Sequence, residues 1–142
     1  MLNRFGLIDV PERKRQVRDW IKALNIKVSD PDLAIETLSG GNQQKVVIAR
    51  WLATKPKVLI LDSPTVGIDV GAKRSVHQLI HELSLAGVGI ILITDEIDEA
   101  LNNCTRVLLM RAGRIIANLD SSQEDEFSVQ ARLEAATLPE NI

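Results

Sequence analysis

Leu38-Ser39-Gly40-Gly41-Asn42-Gln43-Gln44-Lys45-Val46-Val47 is the stretch that decides the fold. A leucine, a serine and a glycine pair run directly into an amphipathic segment carried by Val46, Val47, Ala49 and Leu52, which reads as a helix. Glycine pairs are costly in ordered backbone, so they mark a place where the chain must approach something closely. A helix opening there aims free N–H groups and its positive dipole end at one point, which favours an anion such as phosphate. Ser39 can cap that helix or donate its hydroxyl to the anion. Taken alone, such a pattern is more often a capped loop before a helix.

The next segment changes that weighing. Val58-Leu59-Ile60-Leu61-Asp62 is a continuous apolar run ending in an acid, and it reads as a parallel strand buried on both faces. In open α/β sheets ligands bind beyond the carboxyl ends of the strands, where Asp62 falls and where a phosphate-bound Mg²⁺ would be held. Ser63-Pro64-Thr65-Val66-Gly67-Ile68-Asp69 then makes a turn before the next helix.

At this point the chain resembles a known family. Leu38 to Asn42 is similar to the signature motif of ABC transporters, Val58 to Asp62 to the Walker B strand, and Gly67-Ile68-Asp69 to the D-loop. The wording is similar to that of the second nucleotide-binding half of the fused ATPase subunits of bacterial sugar importers (ribose, galactose or xylose type). Asn42, the stretch Gln43 to Leu52 and the stretch Gly67 to Lys73 carry that finer likeness. The resemblance runs from about Asn3 to about Asn118. It implies a partial P-loop NTPase fold of the ABC ATPase kind: α/β, a mostly parallel sheet with flanking helices, and a C-terminal β-hairpin.

Such a domain grips triphosphate with a glycine-rich P-loop, G-x-x-x-x-G-K-[ST], well ahead of the signature. Only Gly6 precedes Gly40, so no P-loop lies upstream. Gly67 to Lys73 is a decoy: its glycines stand too close together, Ala72 precedes the lysine, and Arg74 follows it. Gly71-Ala72-Lys73 is predicted to be the first turn of a helix instead. No equivalent of the family's glutamine loop is visible either, and the expectation is that the sequence begins inside the domain. By this reading residues 1–120 are the C-terminal part of a nucleotide-binding domain, with 1–55 bearing the signature and 56–120 the Walker B, D-loop and switch segments. Residues 121–142 form a terminal helix and tail.

The resemblance assigns roles position by position. Ser39, Gly40, Gly41 and Asn42 would contact nucleotide, Asp62 would hold Mg²⁺ directly or through water, and Gly67, Ile68 and Asp69 would form the D-loop. Active relatives follow the Walker B aspartate with a glutamate that polarises the attacking water; here Ser63 stands there, and a hydroxyl is far too weak a base near neutral pH. Val66 replaces an arginine common in this subgroup, with no derivable consequence. Most relatives place a His that contacts the γ-phosphate after the next strand; here Thr94-Asp95-Glu96 puts Asp95 at that position. An ionised Asp facing a triphosphate is repelled unless a metal lies between them. Serine often fills this position in second halves of sugar importers, so loss of the His is not peculiar to this chain. A plainer account of Asp95, Glu96, Asp98 and Glu99 is that they complement a helix N-terminus.

Nucleotide sites of this family form between two domains, one supplying the P-loop and catalytic acid, the other the signature. Ser63 and Asp95 fall in the site that second halves tolerate losing, and the signature in the one they need. The resemblance therefore implies ATP and Mg²⁺ at a shared site, with another nucleotide-binding domain and the membrane permease subunits of a sugar importer as partners. The location would be cytoplasmic, peripheral to the cell membrane. The chain alone is expected neither to bind ATP tightly nor to hydrolyse it. The competing expectation is a truncated remnant of such an ATPase with no transport activity. DNA-repair relatives of the family, which interrupt the domain with a long coiled coil before the signature, fit the wording around Asn42 less well.

Composition excludes other classes. With 142 residues the chain is one domain or a piece of one, and 45% hydrophobic content suits a core of ordinary size. A net charge of −2 offers no electrostatic case for DNA, RNA or anionic lipid. The apolar runs, such as Val88 to Ile93, are far too short to span a bilayer, and Met1 to Phe5 lacks the apolar core of a signal peptide. Cys104, the only cysteine, rules out an internal disulfide and suits a packing role. His77 and His81 share a helix face, but no third ligand is positioned by sequence, so a solvated face is the better account.

Period and punctuation predict the remaining elements. A helix over 11–24 buries Val17, Trp20, Ile21 and Leu24, and the signature helix ends near Ala53. A helix over 70–85 buries Val76, Leu79, Ile80 and Leu83 and stops at Gly87. Ile90-Ile91-Leu92-Ile93 is a second strand buried on both faces, followed by a short helix over 96–102. Strands over 107–110 and 115–118 flank a hairpin turn at Arg111-Ala112-Gly113-Arg114. Ser121 with Glu124 and Ser122 with Asp125 suggest capping boxes and a helix to about Ala136.

Overall fold

A computed structural model describes residues 9–136. Helix α1 spans Val10–Ala23, α2 Gly40–Leu52, strand β1 Val58–Asp62 and α3 Val70–Leu85. Strand β2 (Gly89–Ile93), helix α4 (Ile97–Asn103), strands β3 (Arg106–Arg111) and β4 (Arg114–Asp120) and helix α5 (Glu126–Ala135) follow. Short 3₁₀ turns cover Ile35–Thr37 and Ser121–Gln123.

The chain forms two compact units. One holds the described residues up to Leu59 together with Pro64–Gly89; the other holds Ile60–Ser63 and the described residues from Ile90 on. Strands β1 and β2 make one two-stranded sheet, β3 and β4 another. Gly89 N donates to Lys57 O at 2.9 Å and Ser63 N to Ile93 O at 2.9 Å, so both ends of β1 and β2 match and the pair is parallel. The intervening α3 is the crossover such a pair requires.

In the first unit, Asp9 caps α1 by accepting from Glu12 N at 3.0 Å, and Pro11 sits in the first turn, where its missing N–H costs nothing. Leu24 is buried and Trp20 and Ile21 are half-buried, whereas Val17, predicted to share their face, is exposed. The buried stripe of α2 is Gly41, Lys45, Ile48, Ala49 and Leu52. Val47, read from sequence as part of that face, is exposed instead. The reason is the helical period: counting by three and four from Gly41 puts Lys45 inside, its stem covered and its ammonium donating to Asn25 O at 3.4 Å. Helix α3 has the bounds and the stop anticipated. Val76, Leu79 and Ile80 are buried, Leu83 is half-buried, and Gly87 takes φ +89° while donating to Ser84 O at 3.0 Å.

Neither inner strand is buried on both faces. Along β1 only Leu59 and Leu61 are buried, while Val58 and Ile60 are 54% and 63% exposed. Along β2 no residue is fully buried, and Ile91 and Ile93 are about half exposed. A continuous apolar run predicts burial on both faces only where both faces of the sheet are covered. Among the described residues that condition is not met.

In the second unit β3 pairs antiparallel with β4, from Arg106 opposite Asp120 to Arg111 opposite Arg114. Ala112 and Gly113 both adopt positive φ, the backbone of a tight two-residue hairpin turn. The register slips between Leu109 and Met110, leaving Ile116 as the extra residue of a bulge. Val107, Leu109, Leu119 and Val129 form the core here, with Ile97, Leu101 and Leu133 packed around it. The predicted capping boxes at Ser121 and Ser122 are not formed. Asp120 instead caps the 3₁₀ turn, and α5 starts from Asp125, which accepts from Ser128 N at 2.7 Å while Ser128 Oγ accepts from Asp125 N at 3.2 Å.

Candidate functional site

The signature residues open α2. Ser39 occupies the N-cap position with extended backbone, and Asn42 N and Gln43 N both donate to its carbonyl at 2.9 Å. Its hydroxyl does not cap the helix; it accepts from Asn42 Nδ2 at 2.8 Å, which leaves its own proton available to donate. The first N–H groups of a helix have no intrahelical acceptor, and here no side chain caps those of Gly40 and Gly41. Asn42 is fixed from its other side as well, accepting from Lys27 N at 2.8 Å, and Gln43 Nε2 donates to Leu38 O at 2.8 Å. The result is an exposed serine hydroxyl beside the positive end of a helix, a geometry suited to phosphate oxygens.

The close approach foreseen for the glycine pair is real, and what it meets is the neighbouring helix. A Cβ on Gly41 would lie 2.5 Å from the Cβ of Ala72, and one on Gly40 would lie 3.0 Å from Cγ2 of Ile68. Gly67 and Ile68 lead into α3, with Gly67 at φ +76°. Asp69 caps α3, accepting from Ala72 N at 2.9 Å. Thus the first unit brings Gly40 and Gly41, read from sequence as signature residues, against Ile68 and Ala72. Sequence reading missed Ala72 and Lys27 because neither carries a chemical signal; Ala72 acts through its β-methyl and Lys27 through its backbone N–H.

Asp62, Ser63 and Asp95 lie in the second unit. Asp62 ends β1 and is exposed, accepting from Ser63 Oγ at 3.2 Å. Ser63 takes φ +48°, uncommon outside glycine. Its bond to Ile93 O sets the carboxyl ends of β1 and β2 side by side, and exposed Asp95 follows β2. Among the described residues no group of three or more His, Cys, Asp or Glu could hold a metal, so His77 and His81 gain no third ligand. Asp62 suits Mg²⁺ only as one carboxylate completed by phosphate oxygens and water, the usual manner for that ion. Glu99, read as one of the acids that complement a helix N-terminus, lies with Asp98 in the first turn of α4 and is only 3% exposed.

Comparison with known proteins fits this arrangement. The family model described as ABC transporter matches residues 2–66. The chain is 47% identical over 131 residues to the ribose import ATP-binding protein RbsA of Rhodococcus jostii, covering 90% of this chain and 25% of that protein. It is 44% identical over 134 residues to the ribose import ATP-binding protein RbsA 2 of Burkholderia pseudomallei, covering 94% of this chain and 26% of that one. Among solved structures it is similar to a dimeric ATP-binding cassette, MJ0796, bound to ADP and Pi. That match has a TM-score of 0.69 and 26% identity over 84% of this chain and 51% of the other. The chain is similar to the ATP-binding proteins of ABC transporters over nine-tenths or more of its length. Among these, the likeness is to sugar-importer ATPases, and the chain spans about a quarter of the length of the curated relatives it matches.

Proposed function

We propose that the chain is an ATP-binding component of an ABC-type sugar import system that lends its signature to an ATP site shared with a partner domain. The observation that carries this reading is the start of α2, where the Gly40 and Gly41 N–H groups and the Ser39 hydroxyl gather at one helix end without a capping side chain. Ser39, Gly40, Gly41 and Asn42 would bind the phosphates, and Gly67, Ile68 and Asp69 would face the partner as its D-loop. Mg²⁺ would be bound through Asp62. The P-loop would come from another ABC nucleotide-binding domain; MJ0796, a relative in fold and sequence, is a dimer in its ADP- and phosphate-bound structure. Residues 1–120 would act as the C-terminal part of a nucleotide-binding domain, cytoplasmic and peripheral to the membrane beside permease subunits. No described helix is long and apolar enough to cross a membrane.

The chain alone is proposed to be non-hydrolytic. No G-x-x-x-x-G-K-[ST] loop occurs in it, Ser63 cannot act as the base, and Asp95 would repel the γ-phosphate. A second reading, a remnant without transport activity, is favoured by the exposure of Ile60 and Ile91. Calorimetric titration of Mg-ATP into the folded, monodisperse chain tests the first reading. No heat at high micromolar ATP is expected from the chain alone, and saturable heat on adding a P-loop-bearing nucleotide-binding domain. Saturable one-to-one binding by the chain alone overturns it; silence in both titrations favours the remnant.

A further inference from the structure

We propose that Ala72 and Ile68 are positioning residues for the signature, so that the D-loop segment and the first turn of α2 move as one body. This deepens the shared-site reading, and rests on it only for what the signature binds.

The argument starts from interatomic room. Non-bonded carbons settle at about 3.5–4.0 Å. A Cβ on Gly41 would stand 2.5 Å from the Ala72 Cβ and 3.3 Å from its Cα. The first turn of α2 therefore rests directly on the first turn of α3, backbone against a methyl group. Ala72 cannot easily yield, because its N–H is held by Asp69 Oδ1 at 2.9 Å and Asp69 is the cap that starts α3. Gly71 adds to this constraint: a Cβ there would lie 3.2 Å from that same carboxylate oxygen. A continuous path of close contacts thus runs from Asp69 through Ala72 to Gly41. A second path runs from Ile68 to Gly40, where the added Cβ would meet Cγ2 at 3.0 Å. On its other side α2 is tied by Asn42 to Lys27 N and to Ser39 Oγ, each at 2.8 Å. Held on both sides, the Gly40 and Gly41 N–H groups have their direction set by α3. A displacement of residues 67–69 would be passed to those groups through the Ala72 methyl.

Amide hydrogen exchange and ¹⁵N chemical shifts of residues 40–44 in the isolated 142-residue chain test the proposal, with no nucleotide present. Gly41→Ala is expected to speed exchange there several-fold and to lower Tm, and adding Ala72→Gly to restore both. The Asp69 carboxylate accepts from Ala72 N in α3, yet Asp69→Ala is expected to shift the same amides. Asp125→Ala, at the N-cap of α5, is expected to lower Tm and leave them unmoved. If Gly41→Ala prevents folding, Gly40→Ala supplies the reading with a smaller shift, because the Ile68 γ-methyl can turn aside. The proposal is overturned if the double variant is as perturbed as Gly41→Ala, or if Asp69→Ala leaves residues 40–44 unchanged. Since ATP plays no part, failure here is distinguishable from failure of the shared-site reading.

Discussion

Burial holds the Cys104 thiol above its ordinary pKa, and the negative charge of Glu99 adds to the effect. The thiolate is the nucleophile, so a raised pKa means a slow thiol. Alkylation by iodoacetamide, followed against pH, is expected to show a midpoint above that of a free cysteine; a midpoint at or below it contradicts the packing role. The sign for stability follows. The unfolded chain releases this proton at the ordinary pKa while the folded chain retains it, so the contribution is intact below that value and lost as pH rises toward the folded one. Gly41 poses a competition of magnitudes. Alanine is favoured over glycine within a helix by about 1 kcal/mol, but overpacking costs about 1–3 kcal/mol. With a methyl forced to within 2.5 Å of Ala72, the steric cost falls at the upper end, and Gly41→Ala is expected to destabilise by roughly 1–2 kcal/mol in urea unfolding. The sequence showed that Gly41 needed a close neighbour; it could not show that the neighbour was alanine, a residue with no signature of its own.

Caps decide where the second unit's last elements begin. Asp125 and Ser128 satisfy one another across the first turn of α5, so Asp125→Ala is expected to cost about 1 kcal/mol and lower Tm by a few degrees. Asp120 is held below the usual carboxylate range by the Ser122 hydroxyl, then by the Ser122 N–H and Gln123. A depressed carboxylate stabilises the fold above its unfolded pKa and loses that contribution as pH falls through its folded value. An NMR titration should therefore find Asp120 ionised under acidity that protonates ordinary aspartates, with Ser122→Ala raising its midpoint. These same elements mark what was legible. Helix α3 could be read to the residue because Asp69, the apolar period and Gly87 act locally. The start of α5 could not, because Ser121, Ser122, Asp120 and Asp125 are all competent caps and the choice depends on where β4 ends. For β1 and β2, type and position were legible from the apolar run, but burial was not, since it depends on whatever covers each face.

Both units display apolar strand surface to solvent in the isolated chain. Val58 belongs to the first, while Ile60, Ile91 and Ile93 belong to the second, where Met110 and Ile115 of the hairpin are exposed as well. Unpaired edges and apolar patches of this kind promote association between copies. Ile60 and Leu61 are adjacent in sequence and opposite in environment, 63% against 7% exposed, which makes them a matched test. Leu61→Ala removes buried methyl groups and is expected to cost about 2–5 kcal/mol. Ile60→Thr keeps a β-branched side chain suited to a strand while removing apolar surface from water, so stability should change by no more than about 0.5 kcal/mol. Its effect should appear instead in light scattering, as a higher concentration or temperature at which association begins. If Ile60→Thr destabilises the chain as much as Leu61→Ala does, Ile60 is covered in solution, and the uncovered sheet face invoked for the remnant reading does not exist.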